Sequence, residues 1–310
     1  MVPSATWLAR EPAPPYTTDG KMRTGLRAIA YPWDEWIIAP PTALTLTLKS
    51  ELLSGLRAHE CSVSDDTRAT RSAEAEVAGL IDAYLRLHTP HVTGAAAVAA
   101  TGDRLVDAAR RVEEDLVLLR AQGDGTFALA AATVTFSFGA VREKLGASLE
   151  RIHAPVPHYA HTVGRAVDRA LGRLDAEKGF ARSNWELRRT GDLAHPSLLE
   201  PGRRGQLDPP ADGAATPPSS LWLRVEHQTL RRLPECAQFV LFTVRTLTDP
   251  LSALAHVPEA ATALSARIAS LSEQMALYKG LADAAERRRI CAFLDDIAAA
   301  AGSQGSGRSS

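Results

Sequence analysis

Apolar positions early in the chain recur at helical spacing. Between Arg71 and Leu87, the residues Val77, Leu80, Ile81, Tyr84 and Leu85 fall on one face of a helix, and Thr89-Pro90 stops it. A Leu-rich stretch from Ala43 to His59 predicts a helix before it, and Asp103 to Glu114 predicts another after it. The period then changes. Asp115–Ala121 and Thr126–Phe138 are rich in Val, Leu, Thr and Phe, and Gln122-Gly123-Asp124-Gly125 between them reads as the turn of a β-hairpin. A short charged helix is expected over Val141 to Glu150, and a longer one from Tyr159 to Glu177. Ser183–Arg189, Leu221–His227 and Gln238–Leu247 read as strands, the last apolar enough to be buried and ended by Asp249-Pro250. Two antiparallel helices joined at Gly280 follow, Ala260–Lys279 and Leu281–Ala300.

This order predicts an α+β protein: about five strands in an antiparallel sheet, with helices before and after it. The proline-rich residues 1–20 read as an extended arm, 21–300 as one domain, 201–220 as a Pro/Gly/Ser loop, and 301–310 as a disordered tail. There is no internal repeat.

Composition removes several function classes. The 310 residues are 45% hydrophobic and 23% charged, with a net charge of -1, so nothing electrostatic points to nucleic acid or to an anionic membrane as partner. No apolar run is long enough for a spanning helix or a signal peptide, and Cys61, Cys236 and Cys291 form no CxxC pair, which suits a reducing, cytoplasmic setting. GxGxxG, GxxxxGK[ST] and GxSxG are all absent, which removes the Rossmann, P-loop and hydrolase-elbow readings. His88 and His91 stand three apart, but beside a helix end and a proline, and read as surface or capping histidines.

His153, His158 and His161 are the more informative cluster. They stand within nine positions, around Pro155 and Pro157, which restrain the backbone. Three readings fit: a histidine-rich turn with ordinary hydrogen bonds, a non-haem metal site completed by a carboxylate, or one axial histidine to haem iron.

The strings RTGLRAIAYPWDEWI (23–37), DAARRVEEDLVLLRAQGDG (107–125), REKLGASLERIHAPVPHYAHTVGRAVDRAL (142–171), RSNWELR (182–188), LWLRVEHQTLRRLPECAQFVLFTVRTLTDPLSAL (221–254) and LYKGL (277–281) together resemble the haem-dependent oxidative N-demethylase-like family, from about residue 20 to 295. The resemblance implies a PAS-like antiparallel sheet holding one haem b and an oxygen-using oxidoreductase. Its substrate would be an amine or other small nitrogen compound, and its electrons would come from a separate reductase. A haem sensor is the rival of a different class.

The same resemblance makes His153, in the string IHAPVP, the expected iron ligand. Arg182, Arg224, Arg231 and Arg245 become candidate partners for the haem propionates, because guanidinium pairs bidentately with carboxylate. Asn184 and Gln228 sit in the strings expected to border the cofactor. Strand alternation puts Arg224 and Glu226 on one face, where Glu226 would bind an amine or relay protons. His227 would titrate near neutrality, and Tyr159 would donate a hydrogen bond in the pocket. The chain departs from the family pattern at Thr135-Phe136-Ser137-Phe138 (a CFPS-W-like string in relatives), at His158 before Tyr159 and at His227 (Arg in relatives). These departures loosen the substrate more than the cofactor.

Overall fold

A computed structural model describes residues 25–29, 36–37, 41–56, 58–89, 101–138, 141–194 and 216–305. The arm 1–20, most of the loop 201–220, His91 and the last five residues lie outside the described residues.

Seven strands form one antiparallel sheet: β1 (Arg27–Ile29), β2 (Ser62–Ser64), β3 (Asp115–Ala121), β4 (Phe127–Thr133), β5 (Gly179–Arg188), β6 (Trp222–Arg232) and β7 (Phe239–Pro250), in the order β1-β5-β6-β7-β3-β4-β2. The α+β expectation holds. The two extra strands, β1 and β2, have three residues each, too few to show a period of two. β4 is shorter than expected at its C-terminal end. β5 starts earlier, at Gly179, and β6 runs on to Arg232.

The helices are α1 (Ala43–Ser54), α2 (Ala58–Cys61), α3 (Arg68–His88), α4 (Arg104–Ala109), α5 (Leu149–Ile152), α6 (Arg165–Arg173), α7 (Pro258–Ala269), α8 (Glu273–Tyr278) and α9 (Ala284–Gly305). Thr67 caps α3 by accepting from the Thr70 amide, and Asp103 caps α4 from Leu105 and Val106. Several expected helices are shorter or divided. The Leu-rich helix breaks at Gly55. The long late helix is split where Ser272 starts α8 with its own cap. Val141 to Glu150 holds a 3-10 turn (Val141–Lys144) and the start of α5. Where one helix was expected from Tyr159, a π-helical turn (Ala160–Gly164) leads into α6. The tail is helical as far as Gly305.

In the hairpin between β3 and β4, Gly125 has φ +80°, and Asp124 accepts from the backbone and hydroxyl of Thr126.

The two faces of the sheet are packed differently. On one, Leu116, Leu118, Ala181 and Leu241 join Val77 and Ile81 of α3 in one core, while Trp185, Leu223, Val225 and Leu247 join α7 and α9 in a second. On the opposite face, Val117, Leu119, Leu230 and Val240 pack beneath Leu149, Leu171 and Leu174. The rest of that face, along β5 and β6, is charged. β1 pairs with β5 from Gly179 to Ala181.

Candidate functional site

The β5–β6 register sets the site. Arg182 stands opposite Gln228, Asn184 opposite Glu226, and Glu186 opposite Arg224. Cross-strand partners and alternate residues share a face, so these six, with Arg188, form one polar row. The alternation that put Arg224 and Glu226 together is therefore present, and it extends across two strands.

Arg224 is buried and heavily engaged. Its Nη1 donates to Glu226 Oε1 (2.7 Å) and Glu186 Oε1 (3.1 Å). Its Nη2 donates to the carbonyls of Phe136 (2.8 Å) and Ser137 (3.3 Å) and to Thr246 Oγ1 (3.1 Å). The same Thr135–Ser137 turn gives three backbone amides and two hydroxyls to Asp115, at 2.7–2.9 Å. Arg224 and Asp115 thus clamp one turn from two sides, which leaves Arg224 as a girder more than a free donor. Glu226 is held on its other oxygen by Gln228 Nε2 (2.8 Å). Arg188 donates from Nε and Nη2 to Glu186 Oε1, both at 2.6 Å. Burial opposes ionisation of Glu186, yet Arg224, Arg188 and Lys279 prevail and hold its carboxyl below the usual range.

His153 ends α5, just after the last helical residue, and is half-buried. Its Nδ1 lies 2.8 Å from the Leu149 carbonyl. A carbonyl only accepts, so Nδ1 carries the proton, and Nε2 presents its lone pair with no hydrogen bond among the described residues. Burial, with Arg182 and Lys144 nearby, pulls the imidazole pKa below its ordinary value. This neutral tautomer, oriented through a backbone carbonyl, is the state a metal-ligating histidine needs.

The Tyr159 ring stacks on His153 at 4.4 Å and 10°. Gly164 makes room for it: a Cβ there would lie 3.2 Å from Tyr159 Cε1. Burial first, then Asp168, pushes the phenol up to about 12, so it stays a proton donor at ordinary pH. His158 has φ +60°, unusual outside glycine, and its carbonyl accepts from Thr162. Glu150, His153, Val156, His158, Tyr159 and His161 line a surface cavity of ≈ 280 Å³. The three histidines share that cavity, yet no group of three or more His, Cys, Asp or Glu among the described residues is arranged to hold a metal ion.

Arg182 links the cavity to the polar row. It lies near enough to His153, Tyr159 and Glu226 to affect their charges or feel them, and its Nε is buried without a hydrogen-bond partner. Asn184 is exposed.

Three expected site residues stand on the opposite face. His227 pairs with both Ser183 and Arg245 in register, and Arg231 stacks over the Trp36 ring at 4.8 Å. Arg245 forms a buried salt bridge with Glu113. The sheet does not bring these three together with His153. His88 stacks on Tyr84 at 4.1 Å, a packing role at the helix end.

The structure adds four residues to the site. Glu186 and Arg188 continue the RSNWELR alternation and lie inside the expected strand Ser183–Arg189, so period two alone could have placed them beside Arg224 and Glu226. Tyr278 and Lys279, from the LYKGL string, are the last residue of α8 and its C-cap. Lys279 Nζ donates to the Trp185 carbonyl (2.6 Å) of β5 and lies 4.3 Å from the Trp185 ring centroid. Tyr278 is close enough to Glu186, Glu226 and Arg182 to feel all three.

Comparison with known families gives this arrangement its class. Residues 86–287 match the family model described as "Haem-dependent oxidative N-demethylase, alpha subunit-like". The match covers well over half of the chain, and the chain belongs to that family. It takes in His153, Tyr159 and all of β5, β6 and β7, while the RTGLRAIAYPWDEWI string precedes it. No curated protein matches the chain. No helix among the described residues is long and apolar enough to cross a membrane.

Proposed function

We propose that this protein binds one haem b through His153 and uses oxygen to oxidise a small nitrogen-containing molecule, by N-demethylation or a related oxidation at the C–N unit. The observation that carries the reading is the state of His153: neutral, oriented by Leu149, with Nε2 unengaged. The family's haem dependence supports it. The strand order β4-β3-β7-β6-β5, with the 141–173 helices inserted between β4 and β5, is compatible with a PAS-like domain.

Haem would supply the redox-active iron for oxygen chemistry, and a separate reductase its electrons. The chain's own residues do the rest. Glu226, fixed by Arg224 and Gln228, keeps lone pairs on Oε2 for a protonated amine. Tyr159 offers a phenolic proton and shields one face of the His153 ring.

The test is hemin titration of the purified protein. A Soret band with one equivalent bound is expected, and it should be lost in His153→Ala. A protein that stays colourless overturns the reading. Turnover of an amine with a surrogate electron donor separates the enzyme from a haem sensor.

A further inference from the structure

The polar row carries more positive charge than its carboxylates neutralise. Arg182, Arg188, Arg224 and Lys279 share this corner, and the acidic groups among them are Glu186 and Glu226. Several of the donors have no acceptor. Arg188 is 5% exposed and its Nη1 is unpartnered. Arg224 is 2% exposed and its Nε is unpartnered. Arg182 Nε is likewise buried without a bond. Unmet buried donors on cations are costly, and beside an excess of positive charge they favour an anionic ligand that can accept from them.

The excess is two charges in a chain whose net charge is -1, so it belongs to this corner and not to the whole surface. Arg182 and Lys279 stand at the accessible side of the corner. Arg182 adjoins His153. Lys279 uses one donor on Trp185 and has two left. Arg188 and Arg224 lie deeper, tied to the two glutamates, and set the potential behind them.

We infer that this corner is a carboxylate-binding subsite that takes the two propionate side chains of the haem, with Arg182 and Lys279 as their cationic partners. The inference rests on the reading that His153 holds haem. It assigns the propionates to one end of β5 and adds Lys279, a residue from the C-terminal helices, to the binding machinery.

The experiment compares hemin with hemin dimethyl ester, in which both carboxylates are masked. Soret titrations and haem-release rates would be measured on the wild-type chain, Arg182→Gln, Lys279→Gln and Lys279→Arg, with melting curves to verify folding. The wild type should hold hemin about tenfold or more tighter than the ester, as expected for charge-assisted pairs. Each Gln variant should lose most of that preference by weakening hemin alone, and Lys279→Arg should restore it. Equal binding of hemin and ester by the wild type overturns the inference and leaves the haem reading standing; so does an equal loss of both ligands in the variants. If the wild type takes up neither ligand, the haem reading itself fails and the subsite assignment falls with it.

Discussion

Lys49 and Lys279 are both pressed against the sheet, yet their surroundings differ. Lys49, fully buried, donates to the carbonyls of Val112 and Glu114 and stands 3.7 Å from Asp115. Asp115 in turn receives five hydrogen bonds from the Thr135–Ser137 turn. That pair is closed: acceptor and donor answer each other inside the chain. Around Lys279 the cations outnumber the carboxylates. The first arrangement fixes a fold. The second carries excess positive charge, and it lies next to His153.

Breaking the closed pair gives the largest expected effect. Asp115→Asn would turn an amide donor toward amide and hydroxyl donors and leave Lys49 uncompensated, at a cost of about 3–5 kcal/mol. A lower urea midpoint with an unchanged m-value would show it.

Lys279 sharpens the contrast through pH. Burial is the main cause that lowers its pKa from 10.5 to about 8. The folded chain therefore releases this proton before the unfolded chain does. Between those two values the unfolded state binds more protons, so stability should rise with pH across that window and be flat below it. The gain should be roughly 1–3 kcal/mol after allowance for partial solvation. The difference between wild type and Lys279→Met, followed by denaturant melts from pH 7 to 10, isolates it.

Gly164→Ala tests the support beneath the His153–Tyr159 stack. The new methyl must push the Tyr159 ring by a few tenths of an ångström. A loss of about 1–2 kcal/mol and a disturbed His153–Tyr159 stack are expected, read by melting and tyrosine fluorescence. Asn184→Ala gives the smallest effect. The residue is exposed in the middle of the open row, and its loss should move stability by less than about 0.5 kcal/mol.

The difference between the two regions also explains what could be read from the sequence. The long strands and α3 were legible because their periods are clean: Val77 and Ile81 on one face of α3, and alternation along Arg224, Glu226 and Gln228. Ala128, Ala130, Ala131 and Ala132 carry no β preference, and neighbouring strands, not propensity, make β4. Thr135 and Ser137 looked like the end of that strand. They leave it because Asp115, remote in sequence, collects their amides. The shared face of Arg182, Glu226 and Arg224 was legible from the alternation in their strings. That His227 and Arg245 face away follows from the period of two, once Arg224 and Glu226 are placed on the other side. Lys279 was not legible as a site residue, because nothing local to LYKGL says that the end of α8 meets β5.

The cation held over an indole makes this corner visible to light. Lys279 Nζ lies 4.3 Å from the Trp185 ring centroid. As pH climbs past about 8 that charge is lost. A step in tryptophan emission is expected across that pH, and it should be missing in Lys279→Met.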